Sequence, residues 1–215
     1  MPHLNSPTSL SVPTKILVRR EMAIVLADLT RKAERSPNTR LNLIVFRLAA
    51  CCGLRVSEIA VLRIADVRVD VARPHLAIRS GAAKGGRARA VPLWWDAGTL
   101  RDIEQWKAER LAQRARAEPD FFVGSLRPGR VGTQLSRHTL RKRFRTACKV
   151  LGPARLETLT IHHGRHTFLS HALAGGRTLA EVRDAAGHAN ISVTSGYLHA
   201  AVDDEAPVGN LFRFS

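Results

Sequence analysis

Five short stretches of this chain carry side chains able to do chemistry. Gly53-Leu54-Arg55-Val56-Ser57-Glu58 sets an arginine between one helix end and the next helix start. Lys84 stands in the glycine-rich turn GAAKGG, and His162-His163-Gly164-Arg165-His166 opens a later helix. Gly187-His188 ends another, and Tyr197, the only tyrosine of the chain, follows nine residues after His188. Arginine suits an oxyanion because it is planar, permanently charged and able to donate two parallel hydrogen bonds. A tyrosine hydroxyl, with an unperturbed pKa of about 10, is a poor nucleophile until a neighbour accepts its proton. Histidine titrates in the range needed for that task. Each stretch alone also has a bland reading: a salt-bridging arginine, a solvated lysine, a packing tyrosine. GAAKGG lacks the G-x-x-x-x-G-K-[ST] order, which excludes a nucleotide-binding loop. His162 and His166 stand four apart, as zinc ligands often do, but no patterned third ligand accompanies them and Arg165 would repel a cation. No metal and no cofactor is expected.

These residues must be positioned by helices and one small sheet. Residues 1–13 are Ser/Pro-rich and read as a loose N-terminus. A helix is expected from Thr14, as its cap, to Arg35, stopped by Ser36-Pro37. The stretch Asn38 to Cys52 is apolar nearly all round and should be the central core helix, with Gly53 as its stop. A short helix follows near Ser57 to Arg63. VRVDV, HLAIRS and RAVPL then read as three short strands of an antiparallel meander. A helix from Asp96 to Arg116 shows Leu100, Ile103, Trp106 and Leu111 as its apolar side. The next, Ser136 to Val150, has Leu140, Phe144, Ala147 and Leu151 on one face and Arg141, Lys142, Arg145 and Lys149 on another. Basic side chains without an acid among them suit a surface that tracks phosphates, and Arg137, Arg87 and Arg89 join the candidates for DNA contact. Three helices remain, near His162–Ala174, Thr178–Ala186 and Ser192–Ala200. The fold class is α+β, mainly α, with a three-stranded antiparallel sheet.

Composition narrows the partner. Lys plus Arg number 34 against 18 for Asp plus Glu, a net +16 whose self-repulsion opposes compactness and calls for a polyanion. Nucleic acid fits better than a membrane surface, because the basic residues spread over several segments and form no single amphipathic anchor. Three cysteines, two of them adjacent, make no disulfide framework and read as buried thiols of a reducing compartment. No apolar run is long enough to span a bilayer. A cytoplasmic, nucleoid-associated protein of a prokaryote is the expected setting.

Taken together and in order, GLRVSE, the lysine turn followed by AVPL, H-x-x-R-H, GH and the tyrosine nine residues on closely resemble the catalytic domain of the tyrosine recombinases, the integrase family of site-specific DNA recombinases. The likeness covers roughly Thr14 to Ala200, and the 23-residue step from Arg165 to His188 has the family's usual register. The resemblance implies cleavage and rejoining of double-stranded DNA through a 3′-phosphotyrosyl intermediate. Arg55 and Arg165 would clamp the scissile phosphate, where negative charge concentrates in the transition state. Tyr197 would attack, His162 would accept its proton, Lys84 would protonate the departing 5′ oxygen, and His188 would donate a hydrogen bond to the phosphate. Glu58 would fix Arg55 or a neighbouring histidine.

Two departures from the family pattern stand out. Gly164 occupies a position where leucine commonly precedes the arginine, which should loosen local packing. Only about fifty residues precede Arg55, so no full N-terminal core-binding domain of the kind relatives generally carry is expected in this sequence, which reads either as a single-domain recombinase or as a catalytic fragment. The tail from 201 to 215 turns from acidic (Asp203, Asp204, Glu205) to apolar (Val208, Leu211, Phe212, Phe214) and should dock, either in cis or on a neighbouring protomer. The resemblance adds a monomer when free and a tetrameric synapse on DNA. Two alternatives stay open at this point: a non-catalytic DNA-binding regulator on the same scaffold, and a type IB topoisomerase-like activity.

Overall fold

The computed structural model describes residues 15–81, 87–112 and 121–188. Helix α1 spans Arg19–Ala33 and α2 spans Pro37–Phe46. The start of α1 differs from the expected one at Thr14, which lies outside the described residues. Ile16 and Leu17 are buried in an irregular entry whose backbone is already bonded elsewhere. The Leu17 N–H donates to Thr167 Oγ1 at 2.8 Å, His171 Nε2 pairs with the Leu17 carbonyl, and Arg155 donates to that of Ile16. The single Leu17 N–H, committed to Thr167, cannot also join a helical ladder. Helix α1 begins where Glu21 Oε2 accepts the Val18 N–H instead.

Helix α2 starts conventionally, with the Ser36 side chain accepting from the Thr39 N–H and Pro37 in the first turn. It stops being α-helical earlier than the expected Cys52. From Arg47 to Cys51 the chain widens into a π-turn, closed by the Cys52 N–H on the Arg47 carbonyl. Every residue from Leu41 to Leu54 is buried, so the expectation of a central core segment holds. Arg47 is carried inside with it, and donates to Asp102 at 2.8 Å and to Asp96 and Thr99. Such a buried charge is tolerable only because it is paired and hydrogen-bonded. Cys51 and Cys52 are buried thiols, and burial pushes Cys51 up to about 12.

Helix α3 covers Val56–Val61. The sheet is the expected meander, β1 (Val67–Arg68), β2 (His75–Ile78) and β3 (Arg89–Pro92), antiparallel in the order β1-β2-β3. Val67 faces Leu76 and Leu76 faces Val91, which makes one side of the sheet apolar and buried. In α4 (Ala97–Ala112) the buried side is Ile103, Trp106 and Arg110, while Leu111 is exposed, contrary to expectation. The 103-106-110 spacing keeps a single helical face, and Leu111 falls off it.

Helix α5 (Arg137–Ala147) buries Leu140, Phe144 and Ala147 as expected and passes into a 3₁₀ turn, Cys148–Leu151. A short helix not anticipated, α6 (Pro153–Thr158), follows Gly152. Helices α7 (Ile161–Ala174) and α8 (Leu179–Ala186) complete the described part. Phe46 stacks on Phe144 and Trp95 on Phe168, with ring centroids 5.7 and 6.0 Å apart. Burying each such ring contributes roughly 1.5–3 kcal/mol. The core therefore runs through α2 and its π-turn, with α1 and α5 against α2 and α7 against the π-turn. No helix among the described residues is long and apolar enough to cross a membrane.

Candidate active site

Helix α7 reaches the π-turn because Gly164 has no side chain. A Cβ there would sit 3.1 Å from Ala49 and 3.2 Å from Phe144. The expectation that this glycine loosens packing is overturned: it permits a close approach of α7 to the π-turn. One residue on, Arg165 is buried, donating from Nη1 to the Gly53 carbonyl at 2.7 Å and from Nη2 to that of Ala186. Gly53 itself has φ +66°, and a Cβ would overlap the Phe168 ring at 2.3 Å. Glycine is thus needed to turn the chain from the π-segment toward Arg55.

Arg55 caps α3. Its backbone N–H donates to Glu58 Oε2 at 2.8 Å, and its Nη1 to Glu58 Oε1 at 3.2 Å. Of the two partners suggested for Glu58, the arginine is the one found. Glu58 is only 1% exposed, so its charge must be answered from within the protein. Arg89 answers it with two parallel bonds of 2.9 Å each. Burial pushes the Glu58 carboxyl up, but hydrogen bonds and charge from Arg89, with help from Arg55 and Arg165, hold it below the ordinary carboxylate range.

His188 follows the C-terminus of α8, its N–H donating to the Arg183 carbonyl. Partial burial, then the positive charges of Arg165, Arg55 and Arg89, push its pKa from 6.5 down to about 4. Held this low it is neutral at physiological pH, and Arg165 and Arg89 bond the carbonyls of Ala186 and Ala185 just before it. His162 lies in the first turn of α7 and is exposed. It borders a groove of about 420 Å³ whose other wall includes Arg141, Lys142 and Arg145 of α5. His163 accepts the Thr160 N–H at Nδ1 and is half-buried beside His166. Among the described residues no group of three His, Cys, Asp or Glu is placed to hold a metal.

The structure thus brings together Arg55, Glu58, Arg165 and His188. Lys84 and Tyr197 lie outside the described residues. Of the candidate DNA contacts, Arg87, Arg137, Arg141, Lys142 and Lys149 are exposed, and Arg145, also exposed, lends Nη1 to the Leu156 carbonyl. Arg89 is the correction. All its nitrogens are used inside the protein, Nε on the Ala185 carbonyl at 2.8 Å and both Nη on Glu58. The available signal was its phase: Arg89 is two residues from buried Val91, and alternate residues of a strand share a face.

A sequence model described as the phage integrase family matches residues 23–203. The chain is 35% identical over 153 residues to tyrosine recombinase XerC of Chromobacterium violaceum, covering 71% of this chain and 46% of that protein. It is 26% identical over 195 residues to XerC of Bifidobacterium longum, covering 86% and 51%. The chain spans about half the length of these curated relatives. Among solved structures, XerA recombinase superposes with a TM-score of 0.67 at 21% identity, over 93% of this chain and 62% of that one. XerH site-specific recombinase, bound to its palindromic difH substrate after cleavage, gives 0.66 at 22% identity, over 92% and 52%. At such identities the structures speak for the fold.

Proposed function

Because the chain belongs to the phage integrase family, we propose that it cleaves and rejoins double-stranded DNA at specific sites through a 3′-phosphotyrosyl bond to Tyr197. The observation that carries this reading is the convergence of Arg55, Arg165 and neutral His188 around one spot, each held by a buried partner or a helix end. Two guanidiniums fixed in advance stabilise charge that grows on the non-bridging oxygens during attack, without reorganising at that moment. His188, being neutral, adds a hydrogen-bond donor and no further charge.

In the proposed step the Tyr197 oxygen bonds to phosphorus and the bond from phosphorus to the 5′ oxygen breaks. His162 takes the hydroxyl proton, and Lys84 gives one to the leaving oxygen. The new phosphotyrosine ester is close in energy to the phosphodiester it replaces, so reversal by another 5′ hydroxyl rejoins the strand without a nucleotide cofactor. Residues 14–200 form the catalytic unit in this reading, 201–215 a docking tail, and assembly into a synaptic tetramer awaits DNA. The exposed bases of α5 support DNA as partner and, with it, a cytoplasmic place of work at the nucleoid.

The test is incubation with nicked duplex fragments of the host genome, followed by a denaturing gel. A covalent protein–DNA band is expected. Binding without such a band would select the non-catalytic regulator, and relaxation of supercoils without recombinant product would select a topoisomerase.

A further inference from the structure

We propose that Arg89 is a positioning residue of this active site: by gripping Glu58 and the end of α8 at once, it sets Arg55 and the His188 turn relative to each other. The inference rests on the strand-transfer reading above for its functional meaning, and on hydrogen bonds alone for its geometry.

Arg89 donates from Nη1 and Nη2 to the two oxygens of Glu58 and from Nε to the Ala185 carbonyl, with its side chain only 6% exposed. The same two Glu58 oxygens receive the backbone N–H and Nη1 of Arg55. At the other end, the next carbonyl of α8, that of Ala186, is taken by Arg165, whose other Nη holds the Gly53 carbonyl two residues before Arg55. These contacts close a ring: Arg55, Glu58, Arg89, the last carbonyls of α8, Arg165, Gly53, and back to Arg55 through the chain. Carbonyls at a helix C-terminus lack intrahelical partners and carry partial negative charge, so two guanidiniums are suitable ligands for them. A Cβ at Gly187 would come within 2.9 Å of Arg89, so the side chain also fills the space against which the turn to His188 is made. Arg89 opens β3, and its bonds tie that strand to the clamp.

The role requires a planar fork. Lysine keeps the charge but has one nitrogen, which cannot span both carboxylate oxygens and a carbonyl on a different element. Because Arg89 is enclosed, it should act on the rate of cleavage and not on DNA affinity.

The experiment compares wild type, Arg89→Lys, Glu58→Gln and the double variant, using the full chain and the nicked duplex that wild type traps covalently. Arg89→Lys should slow adduct formation at saturating DNA on the order of tenfold or more, since small misplacements of a clamp are expensive in rate. Its Kd for DNA should stay within about twofold, as expected of a side chain that touches no phosphate. The double variant should be no slower than the slower single, because Arg89 acts through Glu58. Independent, multiplying losses would overturn the proposal, as would weakened binding with the rate at saturation preserved. If wild type forms no adduct, strand transfer is refuted, and the Arg89 claim is then judged by nuclear magnetic resonance titration of the His188 ring. Arg89→Lys keeps the charge and releases the α8 end, so it should move the His188 ring and its chemical shifts; unchanged shifts would overturn the positioning role. Should Arg89→Lys not fold, Glu58→Gln, which frees Arg89 from its carboxylate, is read the same way.

Discussion

Arg165 grips two carbonyls of its own protein, and that grip fixes the plane its guanidinium can offer to a phosphate. A lysine there would keep the charge and lose the plane. Arg165→Lys should therefore cut cleavage on the order of 10²-fold, comparable to removing one oxyanion donor. Single-turnover cleavage with saturating DNA checks this, and a loss under about threefold would place Arg165 outside the chemistry. Three histidines make a second prediction. His188 is depressed to about 4, and burial together with neighbouring positive charge also lowers His166 and His163. The unfolded chain binds more protons than the folded one between the ordinary histidine value and those lowered values, so stability is lost as pH falls through that interval. The melting temperature should drop from pH 6.5 toward pH 4, less steeply in His188→Asn; an equal slope in both would contradict the assigned neighbours. Arg55, Arg165 and His188 are legible in the sequence because each stands at a helix boundary in a short motif. Arg89 is legible only in part: its phase with Val91 turns it toward the buried side of β3, but its partner Glu58 is 31 positions away and no motif joins the two.

At the scale of elements, Gly53 and Gly164 decide how closely the segments carrying Arg55 and Arg165 pack. Gly53→Ala would place a methyl group in the Phe168 ring and force an L-residue to φ +66°. Left-handed strain costs about 1–2 kcal/mol and overpacking about 1–3, so a combined loss of roughly 2–5 kcal/mol is expected. Urea unfolding measures it, and a change below about 0.5 kcal/mol would mean that the turn relaxes freely. While Ser36, read as a stop, caps the following helix α2, helix and strand identity is readable along most of the described chain through periodicity. The π-turn is not, because Arg47–Cys51 is as apolar in pattern as the helix it continues, and what accompanies the widening is Arg47 pairing with Asp96 and Asp102 about fifty residues later. Leu111 and Arg110 exchange their expected places for a similar reason: hydropathy ranks leucine inside, while the face set by Ile103 and Trp106 passes through Arg110.

For the whole molecule, a net charge of +16 and the exposed Arg87, Arg137, Arg141, Lys142 and Lys149 predict that the proposed binding to DNA is salt-sensitive. Each neutralised phosphate contributes about −0.9 to the slope of log K against log salt, so five contacts give a slope of roughly −4 to −5. Anisotropy titrations across salt concentrations check it, and a slope near zero would remove DNA as the partner. The overall class, mainly helical with a three-stranded antiparallel sheet, follows from the sequence because the strands are bounded by Arg73-Pro74 and the GAAKGG turn. The way α7 and α8 return their residues to the Arg55 loop does not, since it depends on backbone carbonyls, which have no sequence signature. The central claim is that Tyr197 carries the DNA covalently. Nicked duplex is incubated with the chain, the mixture is digested with protease and nuclease, and the peptide bearing residue 197 is weighed by mass spectrometry. A nucleotide linked through its 3′ phosphate to Tyr197 is predicted, with none in Tyr197→Phe although DNA binding is retained. Adduct of normal yield in the phenylalanine variant, or adduct on another residue of the wild type, would contradict it.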